Sequence, residues 1–389
     1  MTRVLELSAQ AAGGVRAHIR QVSQLLAKDG HQVLLAGPGN VISPAPGAVG
    51  GACLRTYQID IGARPSGADL KALRQLKQLA ATVEVIHAHG LRAGALAVLA
   101  AKRLPAAKRP RVVVTLHNLP VGSAPTRLVG KALQLVVVKG ADYVLTVSPD
   151  LLEKAKQLGL EAGEIAVVPA PARGCVDCSC MDHAAQPEIS QDSAQSSDAG
   201  SGVDSGSGYG ASSDTDCDAA PCLLTIARLA PQKGLDLLLE AAALIKQRGI
   251  DFTWLVAGDG PLKAQLNQQI AAAALPVKLL GRREDIGALL SQADVVVQTS
   301  YWEGQPLTLR EAMQAGRAIV ATDVGGSAYT LAGCGQLVEP QAGPLADAVV
   351  AVISDPKRRE TLEAASRAAV AKIPGETQLR EQLDRVLAL

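Results

Sequence analysis

Two cations stand five residues apart in Arg228-Leu-Ala-Pro-Gln-Lys233-Gly234, a stretch that reads as the loop between an apolar strand at 222–226 and an amphipathic helix at 235–247. Arg offers a planar fork to phosphate oxygens, and Lys offers a compact point charge. A helix amino terminus beside them adds partial positive charge. Together they suit the charge of a departing diphosphate, without a metal ion. A pair of acids follows in Glu303-Gly-Gln-Pro-Leu-Thr-Leu-Arg-Glu311, after a strand at 294–298. Pro306 fits the first turn of a helix, which puts Glu303 in the loop and Glu311 in the second turn. Carboxylates only accept hydrogen bonds, so the two suit the vicinal hydroxyls of a ribose and of a sugar. A helix dipole alone would explain Glu303, but not both acids beside a cationic loop.

These loops need a scaffold that ends strands side by side. In the first half, Arg3–Leu7, His31–Ala36, Val83–His87, Arg111–Leu116, Tyr143–Val147 and Ile165–Val168 read as strands, with helical periodicity between them. In the second half the strands are Cys222–Ile226, Thr253–Ala257, Val277–Leu280, Asp294–Gln298 and Ala318–Ala321. Helices fall near 235–247, 261–273, 285–291 and 306–315, with two more between Gly343 and Lys372 and a last one over Gln378–Ala388. Such alternation predicts an α/β protein of two doubly wound, parallel-sheet, Rossmann-like domains facing a cleft, with ligands beyond the carboxyl ends of the strands. The expected divisions are 1–174, an acidic insert at 175–221, 222–372, and a terminal helix at 373–389 that can cross back to the first domain.

The 389 residues suffice for two domains, and 48% apolar content excludes a wholly disordered chain. Aromatics are only 2%, which argues against single-stranded nucleic acid as a partner. Residues 1–174 carry a net charge of +11, 175–221 of −9 and 222–389 of −1. The basic first half suits phosphate-rich ligands, acidic polymers or an anionic membrane face. Its densest run is Lys102, Arg103, Lys108, Arg109 and Arg111, read first as a solvated loop. The insert is rich in Ser, Asp, Gly and Ala, and is expected to be disordered. Cys175, Cys178, Cys180 and His183 with Cys217 and Cys222 could hold zinc, but without a second paired knuckle they read as reduced thiols. No apolar run reaches the length of a bilayer span, and the start lacks a signal-peptide core, so a cytoplasmic protein is expected.

RLAPQKG at 228–234, AGDGP at 257–261, LGRREDI at 280–286, EGQPLTLREAMQAG at 303–316 and ATDVGG at 321–326, in that order and spacing, resemble the retaining glycosyltransferases of family 4, of the GT-B fold. AAGGVRAHI at 11–19 is similar to the family's Gly-Gly loop, and HAHG at 87–90 and TLHN at 115–118 resemble further segments. The likeness covers nearly the whole chain apart from the insert. It implies Arg228 and Lys233 on the diphosphate, Glu311 on the ribose, Glu303 on the donor sugar, and His117 near the sugar's outer hydroxyls. It also implies Gly281–Arg283 on the nucleobase, largely through backbone, and Gly13, Gly14 and Leu307 among the donor-binding residues. His18 matches a histidine of the same helix, and packing is its expected role. The sequence departs from the family at Gln305, where an aromatic is frequent, which alters packing or polarity around the sugar.

What the resemblance implies is a metal-independent hexosyltransferase, without a cofactor, that uses a UDP- or GDP-sugar. Its acceptor would be a glycan, a lipid-linked molecule or a small molecule, reached in the cytoplasm or at the inner face of a membrane. A sugar-nucleotide epimerase or phosphorylase of the same architecture, and a sensor that binds without turnover, remain alternatives. The Arg–Lys loop with the paired Glu favours transfer.

Overall fold

The computed structural model describes residues 1–11, 13–43, 54–62, 67–118, 124–169 and 220–389. The readings made above for the acidic segment and its Cys175, Cys178, Cys180, His183 and Cys217 lie outside the described residues. The first sheet holds β1 (Arg3–Ser8), β2 (Gln32–Gly37), β3 (Leu54–Gln58), β4 (Val85–His89), β5 (Arg111–Leu116), β6 (Tyr143–Thr146) and β7 (Gly163–Ile165), all parallel, in the order β3-β2-β1-β4-β5-β6-β7. The second holds β8 (Cys222–Ile226), β9 (Thr253–Ala257), β10 (Val277–Gly281), β11 (Val295–Gln298), β12 (Ala318–Thr322) and β13 (Gln336–Val338), also parallel, in the order β10-β9-β8-β11-β12-β13.

Helices of the first domain are α1 (Gly13–Lys28), α2 (Gly39–Ile42), α3 (Ala68–Ala80), α4 (Leu91–Lys102), α5 (Ala124–Gly140) and α6 (Pro149–Gln157). Those of the second are α7 (Leu235–Gln247), α8 (Lys263–Ala272), α9 (Ile286–Gln292), α10 (Leu307–Gln314), α11 (Ser327–Leu331), α12 (Ala342–Ile353) and α13 (Pro356–Ala369), followed by α14 (Glu376–Leu387). The strand order reverses direction between β1 and β4, and again between β8 and β11. A crevice opens at such switch points, beyond the carboxyl ends of the strands.

Local sequence explains most of this. Cys-Leu-Leu-Thr-Ile in β8 is buried throughout, as a parallel strand covered on both faces by helices must be. Leu235, Leu238 and Ala242 line one side of α7 and pack with Leu345, Val349 and Val352 of α12. Trp254 is fully buried in that core, and its indole N–H donates to Thr225 Oγ1 at 3.0 Å. The last helix, α14, returns to the first domain. It buries Leu379, Leu383, Val386 and Leu387 against Val4, Val22, Val33 and Val113. Arg111 Nε donates to the Val386 carbonyl at 2.9 Å, and Gln382 Oε1 accepts from Val167 N at 2.7 Å.

The structure corrects several expectations. Strands β3 and β13 lack an apolar signal: β3 is an exposed edge and β13 has three residues. β4 runs to His89 rather than ending at His87, because its imidazoles find partners inside the core and need not leave it. Pro306 precedes α10 instead of forming its first turn. The basic run keeps its expected solvated character, with Lys102, Arg103, Lys108 and Arg109 exposed, while Arg103, Arg109 and Arg111 also donate to the carbonyls of Leu99, Leu104 and Val386. Among the described residues, no helix is long and apolar enough to cross a membrane.

Candidate active site

Four consecutive loops at the carboxyl edge of the second sheet bring the predicted residues into one row. After β8 the chain makes a single tight turn, Pro231–Lys233, and then enters α7 through Gly234, at φ +59°. Only glycine suits that position, because a Cβ would run into the Thr299 backbone. The loop after β11 is stitched to this turn. Thr299 Oγ1 donates to the Lys233 carbonyl at 2.9 Å, Tyr301 N to the Gln232 carbonyl at 2.9 Å, and Gln232 Nε2 to the Trp302 carbonyl at 2.9 Å.

That stitching joins Lys233 to Glu303. Lys233 Nζ lies 2.6 Å from Glu303 Oε1, and Ser300 Oγ donates to the same oxygen at 2.6 Å. Glu303 is buried, whereas the Lys233 side chain keeps about a quarter of its surface exposed. The pair borders a small cavity of about 10 Å³, lined also by Thr225, Gln298 and Thr308. Arg228 is exposed in the same loop, without an ion pair among the described residues. Glu311, in the second turn of α10, is half-buried and likewise unpaired. Burial pushes its carboxyl up to about 7.

Further along the row, Leu229 N donates to the Asp259 carbonyl at 2.9 Å, and Gly258 N to the Gly281 carbonyl at 2.8 Å. Gly281 closes β10, so it lies two strands from Arg228. The side chain of Arg283 is engaged by Asp285, Nε to Oδ1 at 2.8 Å.

The first domain meets this row directly. Gly14, in the first turn of α1, lies against Leu307: a Cβ there would be 3.4 Å from Leu307 Cδ1. A Cβ on Gly304 would be 2.5 Å from Val147 Cγ2 and 3.7 Å from the His117 carbonyl. His117, just past β5, is thus buried beside the Glu303–Gly304 backbone. Trp302 Nε1 donates across the domains to Asp150 Oδ2 at 3.0 Å. Gln305 does the same, Nε2 to the Ala166 carbonyl at 2.7 Å, while its Oε1 accepts from Arg310 Nη2 at 2.5 Å.

Some polar residues were not anticipated. Arg310 is almost fully buried, its Nε and Nη1 have no partner among the described residues, and burial lowers its pKa to about 10. A cation at an otherwise apolar helix position was the available signal. Glu6, His87 and His89 form a buried cluster whose ligand atoms lie within 4.8 Å of one another. A charge inside Val-Leu-Glu-Leu and two His at alternate strand positions announce it in the sequence. His18 is buried as packing requires, with its ring centroid 6.1 Å from that of His89 and 6.0 Å from that of His117.

Comparison with known proteins agrees with this frame. Residues 13–171 match the model of the glycosyl transferase 4-like domain, and residues 220–355 that of glycosyl transferases group 1. The chain is similar to alpha-D-kanosaminyltransferase of Streptomyces kanamyceticus, at 34% identity over 152 residues, 37% of this chain and 39% of that protein. It is similar to phosphatidyl-myo-inositol mannosyltransferase of Mycobacterium tuberculosis, at 35% over 150 residues, 36% of this chain and 39% of that protein. The matched stretch spans well under half the length of either relative. The crystal structure of Anabaena HepE in complex with UDP has the same fold, with a TM-score of 0.71 at 19% identity and 100% of both chains covered. Two family models in tandem, laid over two all-parallel sheets that meet at their switch-point edges, settle the family: the chain belongs to the family 4 glycosyltransferases of the GT-B fold.

Proposed function

We propose that the chain is a retaining, metal-independent hexosyltransferase that moves a sugar from a UDP- or GDP-sugar to an acceptor hydroxyl. The observation that carries this reading is the Lys233–Glu303 pair at the β8/β11 switch point, flanked by Arg228 and Glu311, neither of which has an ion pair among the described residues. When the donor arrives, Lys233 turns from Glu303 to the diphosphate and Arg228 joins it, at the amino terminus of α7. Glu303 then positions the sugar and faces the positive charge growing at the anomeric carbon. Glu311 accepts from the ribose hydroxyls, and the Gly281–Arg283 backbone meets the base. The amides of Gly13 and Gly14 approach the phosphate, and Leu307 packs beneath them.

In the transfer step the bond from the anomeric carbon to the phosphate oxygen breaks. The acceptor oxygen bonds to that carbon from the same face, and its proton passes to the departing diphosphate. Retention follows. Arg228 and Lys233 act mainly on the charge that grows in this step, so they lower the barrier rather than tighten ground-state binding. With both cations on the leaving group, no metal ion or other cofactor is required.

The acceptor belongs to the first domain, whose net positive charge suits a lipid-linked or cell-envelope glycan at an anionic membrane on the cytoplasmic side. One relative carries phosphatidyl-myo-inositol in its name, and HepE was crystallised with UDP, which supports both halves of the reading. The test is a panel of UDP-, GDP- and ADP-sugars, with diphosphate release, anomeric configuration of the product by NMR, and turnover with and without EDTA. Inversion or loss of turnover in EDTA would overturn the mechanism. A donor that raises the melting temperature without ever releasing diphosphate would mark a sensor instead.

A further inference from the structure

Four of the six histidines of the chain gather in one buried cluster around a single carboxylate. Glu6 sits in β1, beside β4, in register with His87. His87 Nδ1 lies 3.1 Å from Glu6 Oε1, and His89 Nε2 lies 2.7 Å from Glu6 Oε2. His87 Nε2 meets the Thr115 hydroxyl at 2.8 Å, and His89 Nδ1 meets His117 Nε2 at 3.3 Å. The rings of His89 and His117 are stacked, with centroids 5.5 Å apart. Along the hydrogen-bonded series His87, His89 and His117, every imidazole nitrogen has a partner among the described residues except one. His117 Nδ1 makes no hydrogen bond among the described residues.

The protons can be placed from the acceptor end. Burial works to raise the Glu6 carboxyl, but the His87 and His89 rings outweigh it and hold Glu6 at about 2. Glu6 is then an acceptor only, so His87 Nδ1 and His89 Nε2 must both carry hydrogen. Burial, with His87 nearby, lowers His89 to about 4, and burial keeps His117 well below the ordinary imidazole range. A neutral His89 that donates from Nε2 presents a lone pair at Nδ1. His117 must therefore donate from Nε2, which leaves its own Nδ1 bare. Among the described residues, the other groups facing the cluster form no hydrogen bond with it, and the buried Nδ1 of His18 has no partner. His18 of α1 is buried and lowered to about 3, chiefly by burial, and Arg310 of α10 contributes only positive charge.

We propose that Glu6, acting through His89, locks His117 in the tautomer with its proton on Nε2, so that Nδ1 accepts a hydrogen bond from a hydroxyl of the bound donor sugar. Glu6 and His89 are positioning residues, two hydrogen bonds and one hydrogen bond from the nitrogen that they orient. The inference rests on the reading that His117 lines the donor-sugar site. It adds a polarity: the site demands a hydroxyl that donates, so a sugar deoxygenated or methylated there is discriminated against. A site built to pair with a hydroxyl rejects the analogue lacking it because a buried group is left unpaired.

The primary test needs no variant. Long-range 1H–15N correlation NMR on the free protein reads histidine tautomers directly. His89 and His117 are expected as Nε2–H forms. A His117 signal of the Nδ1–H form would overturn the proposal. So would metal-shifted imidazoles with stoichiometric zinc, which would make the cluster a metal site.

Glu6→Gln then tests causation. The amide places a donor against one imidazole, so His117 should lose its single-tautomer signature. KM for the nucleotide sugar should rise roughly tenfold, while binding of the free nucleoside diphosphate, which does not use His117, stays unchanged. A variant with wild-type tautomers and wild-type KM would overturn the proposal. If the wild-type protein neither binds a nucleoside diphosphate nor turns over a sugar, the donor-site reading fails on its own, and the tautomer result still stands or falls by NMR.

Discussion

Replacing Lys233 by Met keeps the length of the side chain and removes only its charge. In the free protein this strands Glu303, which is buried and retains a single side-chain partner, Ser300, among the described residues. The gross attraction in the 2.6 Å pair is about 6 kcal/mol at an effective dielectric near 20, and desolvation of both groups offsets most of it. Because Lys233 is partly exposed, the net loss of stability should be about 1–2 kcal/mol. The loss in turnover should be larger, roughly 10²–10³-fold or about 3–4 kcal/mol, since the charge on the diphosphate is greatest in the transition state. The two effects can be separated. Adding Glu303→Gln to Lys233→Met should recover the melting temperature, because the stranded carboxylate is gone, but should not recover kcat. Thermal unfolding and diphosphate release on the same preparations read both quantities. If Lys233→Met lowers the melting temperature yet stays within tenfold of wild-type kcat, Lys233 is a structural partner of Glu303 and the argument for leaving-group stabilisation fails.

Other outcomes follow from the same geometry. Glu311 titrates near 7 when folded and lower when unfolded, so its contribution favours the free protein at low pH and is lost as pH rises through about 7. Donor affinity should run the opposite way, rising from pH 6 to pH 8, because the ribose needs the ionised acceptor; Glu311→Gln should flatten a calorimetric Kd–pH profile. Gln305→Phe removes the bond to Ala166 and the one hydrogen-bond partner of buried Arg310 among the described residues, so thermal unfolding should show a loss of about 1–3 kcal/mol. Adding Arg310→Leu should restore most of it. Leu383→Ala in α14 opens a cavity against the first sheet and should cost about 2–5 kcal/mol in denaturant titration, with kcat little changed in the protein that remains folded. Vesicles of anionic lipid should co-sediment the protein in a salt-dependent way, and equal binding after Lys102, Arg103, Lys108 and Arg109 are neutralised would exclude that run as the contact.

Much of the frame was legible from one-dimensional pattern. The buried strands of both sheets announce themselves as apolar runs between helical periods, and the limits of α7 coincide with the expected 235–247. The loops that bear Arg228, Lys233 and Glu303, and the start of the helix that bears Glu311, could be placed beyond strand ends because parallel topology leaves them nowhere else. Where hydropathy was silent the reading fell short. β3 is an exposed edge without alternation, β13 is too short to show a period, and β4 extends two residues further because polar His87 and His89 are satisfied from a neighbouring strand.

The order of elements, the charge division between the two halves and the residue types at each loop belong to the sequence, since each depends on neighbours within one turn or one strand. Who partners whom does not. Lys233 and Glu303 are 70 positions apart, Glu6 and His89 are 83, and Arg111 and Val386 are 275. Those distances close only when β8 pairs with β11, β1 with β4, and α14 crosses back. The protonation states follow from the same closures, because a carboxylate held at about 2 and another at about 7 differ in burial and in partners rather than in kind. Local chemistry chose the groups; packing over long loops chose their charges and their company.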